Sequence, residues 1–345
     1  MKWYQTSGNG HDVVISSRVR LARNLEEYPF APKLDAPTSQ KIADKVVDAL
    51  KGGLNEELTV TRVRGKAATD RLLVEDHLVS PEFCADSPLE RVLVTDESGN
   101  LAVMIGEEDH VRIQSIYPGL ALDKAYETAT RADDALCERV AVAFDETLGY
   151  LTACPTNLGT GLRASVMLHL PALSAYGYIK SVASLMSKIG LTMRGLYGEG
   201  SEAGACMVQL SNQITLGISE EDAIEKLNGA VAQIVAKERE LRAQMLSEAN
   251  GDTADKLWRS YGTLKYARRL DTQEASRLIS NVRFGAVCGV IPEAANINFV
   301  KLLFEIMPAH IATRFPDATT PEKRDICRAD HIRSVLAGTV AENDD

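Results

Sequence analysis

Three short runs between residues 91 and 119 constrain this chain most. RVLVTD (91–96) and LAVMIGE (101–107) are rich in Val, Leu and Ile, and only ESGN separates them, a turn suited to a hairpin. VRIQSIYPG follows at once as a third extended run. Strands that succeed one another through short turns favour an antiparallel sheet in an α+β fold over a βαβ array.

The flanking sequence fits that frame. DVVISSRVRLA (12–22) is rich in Val and Ile and reads as a strand. SQKIADKVVDALK (39–51) places Ile42, Val46, Val47 and Leu50 at helical spacing and stops at Gly52-Gly53. A helix is expected over about 121–144, strand character over GYLTACPT, a helix near 174–189, and extended runs over LTMRGLYGE and CMVQLSNQITLG. Ser219 and Asp222 then form an N-cap pair, and Ile224, Leu227, Val231, Ile234, Leu241 and Met245 recur at helical spacing. From there the chain reads as helix. The expected division is a mixed α/β unit over 1–240 and a helical unit over 241–345, with the border inside the long helix.

Composition removes several classes of function. The 345 residues carry 38 Lys+Arg against 48 Asp+Glu, a net charge of −10, which disfavours bulk attraction to nucleic acid or anionic membrane. No apolar run approaches a membrane span, and MKWYQTSGNGHDVV lacks a signal-peptide core, so a cytoplasmic protein is the expectation. The six cysteines are scattered singly, with no CxxC, which fits reduced thiols better than bridges or a zinc site. There is no HExxH, no GxxxxGK[ST] and no HRD or DFG set, so no protein-held metal, P-loop or ordinary protein-kinase core is expected. GEGSEAG (198–204) departs from GxGxxG and has no βαβ context.

The chemistry-bearing residues are arginines and carboxylates. SSRVRLAR holds Arg18, Arg20 and Arg23; Arg18 and Arg20 alternate with apolar residues and so project from one face of a strand. Arg112, Arg163 and Arg194 lie in EEDHVR, GTGLRAS and TMRGLYGEG. Guanidinium forks suit phosphate oxygens, and several converging on one point would neutralise a triphosphate. Each taken alone is more commonly a solvated surface group. Glu107, Glu108 and Asp109 run together at a strand end, and Glu199 sits between Gly198 and Gly200, where a backbone without Cβ lets a ligand approach. An acidic turn of this kind is also ordinary surface. Asn157, Gly159, Thr160 and Gly161 form a loop between a strand and a helix whose amides can hold an anion. Cys154 lies beside this cationic region; it is either a tuned thiol or a small buried hydrophobe.

SSRVRLARNL, EEDHVRIQ, CPTNLGTGLRASV and RGLYGEG together resemble the catalytic domain of the phosphagen (guanidino) kinases, in the family's order over residues 12–218. The closer resemblance is to the bacterial protein arginine kinases. The separate helical domain that precedes the first arginine motif in creatine and arginine kinases is absent before Ser16. A helical C-terminal part instead carries RDxxRA as Arg324-Asp325-Ile326-Cys327-Arg328-Ala329. The resemblance implies an ATP site, with Mg²⁺, lined by Ser16, Ser17, Arg18, Val19, Arg20, His77, Arg112, Arg163, Ala164, Ser165, Val166, Met167, Arg194, Gly195, Leu196, Tyr197, Gly198 and Glu199. It implies Glu108 and Glu199 as catalytic carboxylates, Glu108 as the base, with Cys154 tuning the guanidino site. In the C-terminal part, Arg324 and Arg328 would hold the phosphate and Asp325 the guanidino group of an allosteric phosphoarginine. Without the resemblance, TPEKRDICRADHIRS reads as a helix with i,i+4 surface charges.

The implied activity is ATP-dependent phosphorylation of arginine side chains on proteins, marking them for a Clp-type protease or regulating stress-response repressors. A homodimer, a McsA-type activator and a Clp ATPase are the implied partners. The alternatives are a kinase for a free guanidino compound and an inactive phosphoarginine-binding adaptor.

Overall fold

The computed structural model describes residues 2–65, 68–195, 205–248 and 251–338. The expected hairpin forms, as β3 (Val92–Asp96) and β4 (Leu101–Ile105), followed by β5 (Val111–Pro118). With β1 (Val14–Arg23), β2 (Leu58–Arg62), β8 (Leu162–His169), β9 (Leu191–Gly195) and β10 (Met207–Asn212) they build an eight-stranded antiparallel sheet. The strand order is β2-β3-β4-β5-β1-β8-β10-β9, so β1 is central, paired with β5 on one side and β8 on the other. A two-residue ribbon, β6 (Phe144–Asp145) and β7 (Gly149–Tyr150), stands apart.

One face of the sheet is apolar and packs on helices. Val19, Leu21, Ile113, Ala164, Val166 and Leu210 are all no more than 1% exposed. They meet α1 (Ala36–Gly53), α3 (Leu122–Cys137) and α6 (Glu220–Glu248). Ser219 caps α6 as expected, its Oγ accepting from the Asp222 amide at 3.0 Å. Among the described residues the other face is covered at two places. Near β3 and β4, Leu93, Ala102 and Met104 pack beneath α2 (Ala68–Glu75) and Phe83. At the far end, Ile15, Ile116 and Met207 join the core of the C-terminal helices. That core is built by α7 (Asp252–Tyr266), α8 (Thr272–Val287), α9 (Phe299–Glu305) and α11 (Pro321–Leu336), with α10 (Pro308–Arg314) packed on α2, α9 and α11. It takes in Trp3 and Tyr4 from the other end of the chain.

The second unit is therefore not separate from the first. Leu241 packs in the sheet core, whereas Met245, one turn later on α6, touches both cores. Arg242 spans the junction. Its Nε donates to Glu238 Oε1 at 2.7 Å and its Nη2 to the His169 carbonyl at 2.9 Å. Glu238 in turn receives the amides of Ala172 and Leu173 at the start of α4 (Pro171–Ala175).

Four expectations are corrected. The helix over 121–144 stops at Cys137, because the next residues bond β1's exit: the Glu26 amide donates to Ala141 and the Ala143 amide to Asn24. GYLTACPT is a strand only at Gly149–Tyr150. The 157–161 loop leads into β8 and not into a helix, so no helix N-terminus stands behind it. The helix near 174–189 is two, α4 and α5 (Ile179–Lys188).

Arg23 is also off the expected cluster. It is an odd-numbered residue of β1, on the helix-packed face, and is 1% exposed. Its Nη2 meets Asp133 at 2.7 Å, Glu220 lies 3.6 Å away, and its guanidinium stacks on Tyr150 at 3.4 Å. Removing one member of a buried pair leaves an uncompensated charge. Asp133→Ala is expected to cost about 3–5 kcal/mol in urea denaturation; a loss under about 1 kcal/mol would mean that Glu220 and Tyr150 suffice for Arg23.

Candidate active site

Between its two covers the sheet leaves a polar strip, and register decides what stands on it. Directly opposed residues in an antiparallel ladder point to the same face. Arg18 lies opposite Ser165 and Ile116, Arg20 opposite Arg163 and Gln114, and Ala22 opposite Arg112. Ser16 and Gln209 both lie opposite Met167, and Gln209 also opposite Arg194. Pairing alone thus brings Arg18, Arg20, Arg112, Arg163 and Arg194 onto one face, from four strands.

Among the described residues Arg18 and Arg20 have few partners. Arg18 donates to Gln209 Oε1 at 3.0 Å, and the buried Nε of Arg20 has none. Burial lowers the pKa of Arg18 to about 10, with Arg163 and Arg112 adding like charge. Arg20 is lowered well below its ordinary value by burial and by Arg18, Arg112 and Arg163; Arg163 is lowered by burial, then by Arg194 and Arg112. Enclosed like charges with an unfilled donor fit a polyanion, which would supply the missing partner.

One end of the strip carries carboxylate and thiol. A 230 Å³ cavity there is lined by Arg20, Arg112, Arg163, Glu108, Cys154 and Asn157, among others. Glu107 and Glu108 follow β4 and flank Arg112, at 2.8 and 3.3 Å. Glu107 is also fixed by Ser80 Oγ at 2.8 Å, while Glu108 is 46% exposed and open to an acceptor. Cys154 Sγ lies 3.0 Å from Thr156 Oγ1. The Cys154 loop is pressed onto the sheet: at Gly161, with φ +64°, a Cβ would stand 2.7 Å from the Ala22 carbonyl. Asp109, absent from the expected site, sets this corner. Its Oδ1 accepts from Asn24 Nδ2 and from the Ala153 amide, both at 2.7 Å, tying the Cys154 lip to the residue beside Glu108.

The other end is different. A 150 Å³ cavity is lined by Ser16, Arg18, His77, Ser165, Met167 and Gln209, with Ile116. His77 follows α2 with φ +60°, a left-handed turn uncommon for a side-chain-bearing residue. Its carbonyl accepts from Gln114 Nε2 at 2.7 Å. Burial, with Arg18 adding positive charge, lowers the His77 pKa to about 4, so the ring is neutral at ordinary pH.

Not every expected residue projects into the strip. Ser17, Val19, Ala164 and Val166 point to the helix side. Ser17 Oγ donates to the Gly119 carbonyl and accepts from Ala121, and the other three are apolar core. They can offer the site main chain only. Arg194 and Gly195 are exposed on β9; Leu196, Tyr197, Gly198 and Glu199 lie outside the described residues.

The RDxxRA run forms part of α11. Arg328 is corrected as a phosphate partner: it is 1% exposed, its Nε donates to the Ile306 carbonyl and its Nη1 to Leu270 and Asp325. It is a strut holding α11 to its neighbours, as is Ala329 in the core. Arg324, Asp325, Ile326 and Cys327 reach the surface to differing degrees, and Arg269 comes within 3.6 Å of Asp325. Arg269 was not expected; its only signal was the basic run before Asp271.

Comparison with known proteins agrees with this construction. Residues 40–241 match the ATP:guanido phosphotransferase C-terminal catalytic domain, and residues 250–345 the protein-arginine kinase McsB C-terminal domain. The fold and the first match define an ATP-dependent guanidino kinase. The chain belongs to the ATP:guanido phosphotransferase family, and its helical end to the McsB C-terminal domain family. A protein-arginine kinase of Halothermothrix orenii is 40% identical over 335 residues, covering 97% of this chain and 96% of that one. One of Desulforamulus reducens is 42% identical over 340 residues, covering 97% and 95%. Among solved structures, a lombricine kinase aligns with TM-score 0.61 and 25% identity, covering 69% of each chain. The duplicated taurocyamine kinase from Schistosoma mansoni with bound transition state analog components aligns with TM-score 0.62 and 29% identity, covering 79% of this chain and 39% of that one.

Two outcomes follow from the electrostatics. Arg20→Met should raise the thermal midpoint of the free protein, since it removes a buried cation facing three others, yet weaken nucleotide binding by roughly tenfold or more. A calorimetric titration beside a melting curve reads both; a lower midpoint with unchanged affinity would refute the role. His77 stays neutral in the fold while an unfolded histidine takes a proton near 6.5. Its stabilising contribution is therefore complete above that pH and is lost as pH falls from about 6.5 to about 4. His77→Gln should flatten the denaturation midpoint against pH over this window; an unaltered slope would place the titration elsewhere.

Proposed function

We propose that this chain phosphorylates arginine side chains of proteins, using the β1-centred arginine strip to hold the donor nucleotide. The observation that carries the reading is the opposition of Arg20 and Arg163 on a cavity shared with Glu108, with the buried Nε of Arg20 lacking a partner among the described residues. The protein-arginine kinases matched over nearly the whole chain support protein as acceptor.

The nucleotide, when bound, supplies a phosphoryl group for transfer. An acceptor guanidinium is a poor nucleophile, because its lone pairs are delocalised and its pKa exceeds about 12. Glu108, exposed and next to the strip, can accept hydrogen bonds from it and hold one nitrogen in line. As the N–P bond forms and the bond to the leaving phosphate oxygen breaks, the proton leaving that nitrogen passes to a carboxylate, assigned here to Glu108. Arg18, Arg20, Arg112 and Arg163 offset charge on the transferring group and on the leaving phosphate. Glu199 is retained as the second carboxylate on the resemblance alone. Cys154, at the cavity edge, contacts the acceptor's guanidino end.

Among the described residues no three His, Cys, Asp or Glu side chains stand together as metal ligands. Mg²⁺ bound with the nucleotide would be held mainly by phosphate oxygens, with Glu107 and Glu108 able to add carboxylate ligands, and would neutralise charge on the transferring phosphate. The reading extends to an allosteric phosphoarginine at Arg324 and Asp325, with Arg269 as a second exposed cation. A homodimer, a McsA-type activator and delivery to a Clp-type protease belong to it on the same resemblance.

The test is transfer from Mg-ATP to an unfolded protein, with free arginine in a parallel reaction and products mapped by mass spectrometry without acid. Phosphoarginine on protein alone is expected. Phosphorylated free arginine alone would restore a small-substrate kinase, and binding of phosphoarginine proteins without transfer an adaptor. Glu108→Gln should lower the rate about 10²–10⁴-fold and leave nucleotide affinity unchanged; full activity would remove it as the base.

A further inference from the structure

We infer that the C-terminal helix α9 forms part of the nucleotide site, its Phe304 and Val300 walling an apolar bay that receives the base. The inference rests on the kinase reading above and adds a binding subsite to it.

Polarity along β1 sets the direction. The end with Glu108 and Cys154 is where an acceptor can meet a carboxylate, so the transferable phosphate belongs there. The arginines continue the anion site back to Arg18. Beyond Arg18, at Ser16, the charge stops. From Ala22 to Ser16 is six residues, about 20 Å of strand at 3.4 Å each. There the small cavity shares Ser16, His77 and Met167 with a second one of 210 Å³. Its further walls are Trp3, Val300, Leu303, Phe304 and Met307, with Ile15 and Met207 from the sheet.

This bay suits a flat, uncharged, aromatic group. His77 at its mouth is held neutral, so it offers a ring and not a cation. Trp3 stacks near His77, with centroids 6.4 Å apart, and Phe304 meets the His77 ring edge-on at 5.2 Å. Glu75, also on the lining, spends its carboxylate on the amides of Ala309 and His310 at the start of α10. Next to it Asp76 receives Tyr4 Oη at 2.7 Å and lies 2.9 Å from His310 Nε2. The turn that carries His77 is therefore fastened to the C-terminal unit on its N-terminal side. A base in the bay touches that unit directly.

The chain has two tryptophans, Trp3 in the bay and Trp258 on α7, so Trp258→Phe leaves Trp3 as a local reporter. The probes are Mg-ATP and inorganic tripolyphosphate, which carries similar charge and no base. Mg-ATP should change Trp3 emission, and tripolyphosphate at saturation should not. Val300→Phe, a filling change at a partly exposed position, should weaken ATP by about tenfold, or about 1.4 kcal/mol, with tripolyphosphate affinity within about twofold of its starting value. Phe304→Ala should act in the same direction; if it fails to fold, Val300→Phe decides alone. Equal wild-type affinity for the two probes, equal loss of both, loss of neither, or a silent Trp3 would each overturn the inference. Base-dependent binding that persists without arginine phosphorylation would overturn the kinase reading and leave the bay standing.

Discussion

The structure turns on like charges held face to face on one pair of strands. Arg20 and Arg163 are directly opposed across β1 and β8, with Arg18 two residues away on the same face. Such a pair weakens a sheet by a few tenths to about 1 kcal/mol. The same strands bury Val19, Leu21, Leu162, Ala164 and Val166 on the reverse face, and a buried Val or Leu is worth about 1.5–3 kcal/mol. The apolar face therefore outweighs the repulsion several times over. A central strand can carry an anion site because its other side is fully packed; an edge strand such as β2, exposed along most of its length, has no such reserve.

Position along β1 separates tasks that composition cannot. Arg18 and Arg20 face the strip, and Arg23, three residues on, lies inside against Asp133 and Tyr150. One arginine buries its charge with a partner, and the other two stand on the polar strip. Asp109 and Glu108 divide in the same way. The buried carboxylate organises the Cys154 lip, while its neighbour Glu108 stands half exposed beside Arg112.

What was legible in the sequence follows this logic. The period-2 pattern of SSRVRLAR gives the face of Arg18 and Arg20 without any partner strand, and the same parity assigns Arg23, Ser17 and Val19 to the opposite side. The convergence of Arg112 and Arg163 was not legible, because it depends on registers between strands some 90 and 140 positions along the chain from β1. The overrun of α3 has a local cause: Val140 to Ala143 continue a helical pattern, and only the exit of β1 captures their backbone. Arg328 shows the limit of motif reading. In sequence it is the twin of Arg324, one helical turn away, yet its face of α11 is the face that packs.

The most consequential feature hidden from the sequence is the reach of the helical end into the sheet's open face. Trp3, Tyr4 and Ile15 belong by position to the first unit, and by packing to the core of the second. Leaving Ile15, Ile116 and Met207 bare would expose an apolar patch beside a charged strip; α9 covers it. That cover stands next to His77 and Met167, at the uncharged end of the site. A fold that had to seal this corner thereby gained a wall made by its helical end. Ala309 and His310 of α10 bond Glu75 and Asp76, the two residues that precede His77, so the same contacts that seat the helical end also fix the turn at this end of the strip.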